Sequence, residues 1–232
     1  MPTGSGQFSS QKAQKPHLLV GSGGLAPEIQ DLRADIKADF ISNAAICIEE
    51  FTAPAAAAAA GISAAAASQV AAGRSATLLA LAANISPPRN ITVTTAGATP
   101  ADAPATALVT GKDIFGNVMT ETLNIPQTAT IAVGAKAFAS VSSIVEAAGE
   151  GTAATMSYGT GALIGLAKPI KTRAGLTAPV REIANAAVVT NGVFATTAVG
   201  VPNGTYAPNS APNGALNYAL FYEYDATLNR DA

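Results

Sequence analysis

From Ser86 onward polar and apolar residues alternate, and that period of two limits what the chain can fold into. Asn90-Ile91-Thr92-Val93-Thr94, Thr120 to Ile125 and Phe138 to Ile144 all follow it, with β-branched residues prominent. Successive side chains of a strand point to opposite faces, so such runs bury one face of a sheet. β-branched side chains fit that pleated surface. Turn signals separate the runs. Gly116-Asn117 within Ile114 to Val118 predicts a hairpin, and Gly149-Glu150-Gly151 a turn before Ala154-Thr155-Met156-Ser157-Tyr158. The expected fold is mainly β: an antiparallel sandwich or barrel-like meander, with about five or six short strands over residues 86–166. Phe138 and Ile144 share parity and are expected in its core. Val141 and Ala139 mark the other side of the same run, and a one-residue bulge would reconcile the two.

The rest of the chain reads differently. Residues 1–26 form an extended N-terminal arm, with Pro2, Gly4, Gly6 and Pro16 and little periodicity. Pro27 opens one N-terminal helix at about 27–42, with Ile29, Leu32, Ile36 and Phe40 as its apolar stripe. Ala45 to Phe51 reads as a strand. The alanine-rich stretch 53–72 has high helix propensity but no large anchor, so it reads as part helix, part packed linker. Residues 27–85 are expected to pack on a β domain spanning 86–232, with a connector at about 167–186. Strand-like runs return at 187–198, followed by the turn dipeptides Asn203-Gly204 and Asn213-Gly214. Ala219 to Tyr224, the most aromatic run, has aromatic residues on both faces and should be a central or interface strand.

Composition bounds the partners. Aromatics are 5% of the chain and Trp is absent, so little of the apolar area that stabilises a core comes from large side chains. Burial between subunits is the natural supplement. Charged residues are 12%, the net charge is −2 and no Lys/Arg cluster occurs, which argues against nucleic acid. The apolar stretch 53–72 is nearly all alanine and is broken by Pro54, Gly61, Ser63, Ser68 and Gln69, so no membrane span is expected. Met1 to Ser10 is polar and does not read as a signal peptide. Cys47, the single cysteine, reads as a buried thiol.

Chemistry finds little purchase. Gly21-Ser22-Gly23-Gly24-Leu25-Ala26 fits a dinucleotide-binding fingerprint ahead of a helix, with Glu49 and Glu50 as candidate ribose acids. The preceding strand would have only His17 to Val20, however, and the acids lie farther on than the usual ~20 residues. A Gly-rich hinge is the preferred reading. Gly159-Thr160-Gly161-Ala162-Leu163-Ile164-Gly165 lacks the lysine of a phosphate loop and reads as a tight turn after a strand. His17 is the only histidine, so with Cys47 it cannot build a His/Cys metal cluster or a preorganised triad. Asp102, Asp113, Glu121, Glu146 and Glu150 read as solvated acids. Asp113 ahead of Gly116-Asn117 faintly suggests a calcium loop, without the spacing of one. No catalytic, cofactor-binding or metal site is expected, and the chain is not read as an enzyme.

Within 86–166 the order of motifs resembles a known group. Pro88-Arg89-Asn90-Ile91-Thr92-Val93-Thr94 opens it, and Val109-Thr110-Gly111-Lys112-Asp113 with Gly116 and Thr120-Glu121-Thr122 follows. Lys136-Ala137-Phe138 with Ser140-Val141 and Ser143-Ile144, then Gly159 to Leu166, complete it. This order is similar to that of tailed-bacteriophage virion structural proteins of the head decoration or cement type. The resemblance implies a β fold without an active site, in the virion on the capsid surface, assembled in the host cytoplasm. It implies the major capsid protein and further copies of the chain as partners, a trimer being the preferred symmetry. The alternative is a tail, adaptor or receptor-binding protein, for which Tyr206 and Tyr218 are the candidate surface aromatics.

Overall fold

The computed structural model describes residues 44–170, 172–173, 176–177, 180–195 and 204–225. The arm, the helix expected at 27–42, His17 and Gly21 to Ala26 lie outside them. The described chain is mainly β, in antiparallel sheets with a half-barrel. Its first strands are β1 (Ala44–Phe51), β2 (Ala58–Ala67), β3 (Arg89–Gly97), β4 (Thr106–Lys112), β5 (Val118–Asn124), β6 (Ile131–Phe138), β7 (Ser140–Glu146) and β8 (Ala154–Gly165). Two-residue pieces β9 (Thr172–Arg173) and β10 (Leu176–Thr177) pair with each other. Then come β11 (Val180–Ala184), β12 (Ala187–Val188), β13 (Val193–Ala195), β14 (Thr205–Ala207) and β15 (Tyr218–Asp225).

Six strands do fill 86–166, but they are not a meander. One sheet runs β13-β14-β8-β3-β6, with β2 also on β8, and a second runs β5-β4-β7. Only β4 and β5, among these six, are sequence neighbours that pair, through the hairpin at Gly116 (φ 84°). The chain also binds the far edge of the second sheet. Past β2 it lays residues 73–76 along β7, with Gly73 N donating to Glu146 O, Glu146 N to Arg74 O and Ala76 N to Ile144 O, each at 2.9 Å. Inside sits one core that includes Ile62, Ile91, Val93, Val109, Leu123, Phe138, Ile144, Met156 and Tyr158.

Phe138 and Ile144 are both fully buried, and so is Val141 at 4% exposure. The expected run is two strands that break at Ala139, where the chain crosses from one sheet to the other. A register shift then sets Thr110 opposite Ser143 but Gly111 opposite Val141, so one extra residue, Ser142, bulges outward. That bulge lets Val141 and Ile144 face the same core.

The alanine stretch corrects the helix-and-linker expectation: Ala58–Ala67 is a strand, β2, paired with β8. Propensity loses to tertiary pairing with β8, and at one point the two strands lie so close that only glycine fits. A Cβ at Gly159 would come within 1.8 Å of Ala58 O. The segment Gly159 to Gly165 is likewise no turn but the second half of β8. Its glycines make room for neighbours, since a Cβ at Gly161 would meet Asn90 Oδ1 at 2.4 Å and one at Gly165 would meet Ala137 Cβ at 2.7 Å.

Asn90 pins the centre of the larger sheet. Passing from Arg89 or Asn90 to Ile91 or Thr92, the registers with β6 and β8 both shift. Asn90 fills both irregularities: its Nδ2 donates to Gly134 O on β6, and Leu163 N on β8 donates to its Oδ1, each at 3.0 Å. Arg89, 3% exposed, donates to Ala55 O and Gly161 O.

The second body of structure is a four-stranded sheet, β1-β15-β11-β12. The connector expected at 167–186 thus contributes β11. β15 is central, as its sequence predicts, and is covered on both faces: Leu220 and Tyr222 on one are 0% exposed, Phe221 and Glu223 on the other 8% and 1%. Tyr222 packs with Leu166, Ile170, Tyr206 and Leu220, and Phe194 lies edge-on to its ring. β11 and β12 are joined by Asn185-Ala186, at φ 48° and 63°. A two-residue hairpin with both central φ values positive suits Asn-Gly, and Ala at the second place is strained. Ala186→Gly should therefore stabilise the fold by about 0.5–1 kcal/mol. Urea denaturation measures it, and a loss of stability would contradict the turn geometry.

Candidate functional site

The acids, as the chain's densest chemistry, were expected in solvent, and the structure corrects this. Glu146 is 2% exposed and Asp113 is 6% exposed. Glu146 lies on β7, inside the half-barrel, where its inward parity puts it among apolar neighbours. Arg74, on the segment beside β7, donates from Nε to Glu146 Oε2 at 2.6 Å and from Nη2 to Oε1 at 2.5 Å. Tyr158, across the core on β8, donates to Oε1 at 2.8 Å. Asp113 caps the β4–β5 hairpin: Oδ1 accepts Phe115 N and Asn117 N at 2.9 Å, and Oδ2 accepts Asn117 Nδ2 at 3.2 Å. The loop's own groups thus occupy the carboxylate that sequence faintly linked to calcium. Asp102 accepts Ala153 N at 3.0 Å and leaves room only for glycine at 151. Glu150 is exposed.

Two further acids, one buried and one half-buried, hold tyrosines in the same way, and of these the sequence singled out only Glu49, as a candidate ribose acid. Glu182 on β11 is 0% exposed, and its Oε2 accepts Tyr206 Oη at 2.5 Å, Gly192 N at 3.0 Å and Asn209 N at 3.1 Å. Glu49, half-buried on β1, accepts Tyr222 Oη and, at 2.9 Å, Ala167 N. Cys47 Sγ lies 3.8 Å from the same oxygen. The thiol is half-buried, and burial, reinforced by Glu49 and opposed by a hydrogen bond with Tyr222, pushes its pKa up to about 11. At neutral pH it is a thiol, a poor nucleophile. Glu50 is exposed at the rim of an open groove lined by Phe51, Ile183, Asn185 and Tyr218.

Glu146–Tyr158, Glu182–Tyr206 and Glu49–Tyr222 thus repeat one device, a buried or half-buried carboxylate held by a tyrosine hydroxyl from another strand. Burial raises all three tyrosine pKa values, so the hydroxyls keep their protons and donate. The pairs join β7 to β8, β11 to β14 and β1 to β15. Sequence could not have found them, because the partners stand 12, 24 and 173 residues apart. What the arrangement does chemically is cross-link strands. Among the described residues no group of three or more His, Cys, Asp or Glu is placed to hold a metal ion.

One of these pairs sets a pH dependence. Burial raises the Glu49 pKa above its ordinary 4.5, more than donation from Tyr222 and Ala167 lowers it. The folded chain therefore holds this proton more tightly than the unfolded one. This contribution is present at low pH and lost as pH rises from 4.5 through the elevated value. Glu49→Gln cannot ionise, so its urea midpoint should fall less than the parent's between about pH 4 and 7. Parallel curves would refute the assignment.

Tyr206 and Tyr218, the candidate receptor-contact aromatics, are 0% and 2% exposed. Among the described residues the large hydrophobic side chains that face outward are aliphatic, with Val118 at 75%, Val193 at 70%, Val133 at 63%, Val70 at 60%, Ile131 at 56% and Ile48 at 53%. Among the described residues no helix is long and apolar enough to cross a membrane, which leaves crossing by strands unaddressed. Comparison of the chain with family models, curated proteins and solved structures finds no match.

Proposed function

We propose that the protein is a structural subunit of a tailed-bacteriophage particle, a capsid cement or decoration protein that binds the major capsid protein lattice and stabilises the head. The observation that carries the reading is how the body spends its polar chemistry. Its buried acids tie strands together, while outward positions carry Val118, Val193, Val133 and Ile131. A body braced inside and aliphatic outside suits a mechanical role among neighbours, since burial of that area on assembly adds stability. The motifs that resemble head decoration proteins all fall on β3 to β8, in the half-barrel. The acting unit is a homo-oligomer, with a trimer as the preferred form, on the virion surface. The burial of Tyr206 and Tyr218 removes the support for a receptor-binding role.

The test is binding of the purified protein to particles that lack it, followed by heating. Bound protein that raises the temperature of particle rupture supports the proposal; failure to bind heads refutes it. Deleting residues 1–20 should abolish binding and leave the circular dichroism of the β body intact. Loss of the β signal would assign the arm to folding instead.

A further inference from the structure

Backbone pairing holds each of the half-barrel's two sheets together, and it is missing where β5 of one faces β6 of the other. Among the described residues no backbone hydrogen bond joins β5 to β6, although the two strands are neighbours. Side chains bridge them instead. Glu121 on β5 accepts Ala135 N at 2.6 Å and Lys136 N at 3.3 Å from β6. In return Lys136 Nζ donates to Thr120 O at 2.7 Å. The carboxylate lies over Gly134, where a Cβ would approach Glu121 Oε2 to 2.6 Å and Leu123 Cδ2 to 2.9 Å. Glycine at 134 is therefore the seat that lets the carboxylate reach its donors. Beside this line Val118, Ile131 and Val133 are 75%, 56% and 63% exposed.

We propose that the line between β5 and β6 is a seam at which the half-barrel opens, with Glu121 and Lys136 as its latch. Within either sheet, separation of strands would break a ladder: β4 and β5 pair over all of Thr106–Lys112. Here no ladder must break, only side-chain bonds at a partly solvated site and the apolar contacts of Leu123. The proposal does not depend on the virion reading.

Native-state hydrogen exchange tests it residue by residue. In the parent protein the amides of Ala135 and Lys136 should exchange through a local opening, at least roughly tenfold faster than the amides of β3 after correction for intrinsic rates. Glu121→Ala should speed those two amides by a further ten- to a hundredfold, roughly the loss of a hydrogen bond to a charged acceptor, and leave β3 unchanged. Exchange of Ala135 and Lys136 in step with β3 in the parent would overturn the proposal, with no variant needed. So would a Glu121→Ala variant in which all strands speed up together, since that is a loss of global stability and not the release of a latch.

Discussion

Arg74→Met should destabilise the fold by about 3–5 kcal/mol, because it leaves the Glu146 carboxylate, 1% exposed as a side chain, without its cation. Methionine fills much of the arginine stem's space, so the loss reports charge more than packing. Tyr158 alone can supply one donor to Oε1. The triple variant Arg74→Met, Glu146→Leu, Tyr158→Phe removes the charge and both of its partners. It should recover most of the loss, as apolar replacement of a buried ion pair commonly does. Urea midpoints for the single and triple variants decide the matter. A single-variant cost under about 1 kcal/mol would mean that the carboxylate reaches water.

Phe138→Ala should cost a comparable amount, about 3–5 kcal/mol. The ring is 0% exposed at the corner where β6 ends and β7 begins, and it packs over Gly111, where a Cβ would stand 2.8 Å from its Cδ1. The cavity left behind is bordered by backbone, which cannot collapse to fill it, so the cost should fall at the upper end. Stability is again the readout, and a value below about 1 kcal/mol would place the ring outside the core.

Strands were legible wherever polar and apolar residues alternate, as at Ile91 and Val93. Turns were legible at Gly116 and at Gly149 to Gly151. These signals are local, and the β5–β4–β7 and β8–β3–β6 orders are not. The meander expectation assumed that sequence neighbours pair, which nothing within one strand can confirm or deny. β2 failed for a related reason. Ten residues of AAAGISAAAA have a helix former's composition. What makes them a strand is pairing with β8, about a hundred residues on, where glycine at 159 lets the two backbones meet. The buried acids were misread because a glutamate at an inward position looks like one at an outward position until its tyrosine is known. Asp113 was misread differently: Gly116-Asn117 beside it marked the hairpin, but its carboxylate serves that turn and not a cation.

The pairing of β1 with β15 bears on how the chain is made. Ala44 to Phe51 pair, residue for residue, with Asp225 to Tyr218. A ribosome delivers β1 early and its partner some 170 residues later, whereas every strand from β2 to β8 is complete once Gly165 has emerged. Domains tend to fold as units during synthesis, and distant pairings form slowly. The half-barrel therefore has time to close first. Until β15 arrives, β1 waits with an open edge bearing Ile46 and Ile48, and anything that halts translation between Gly165 and Tyr218 strands the nascent chain in that state.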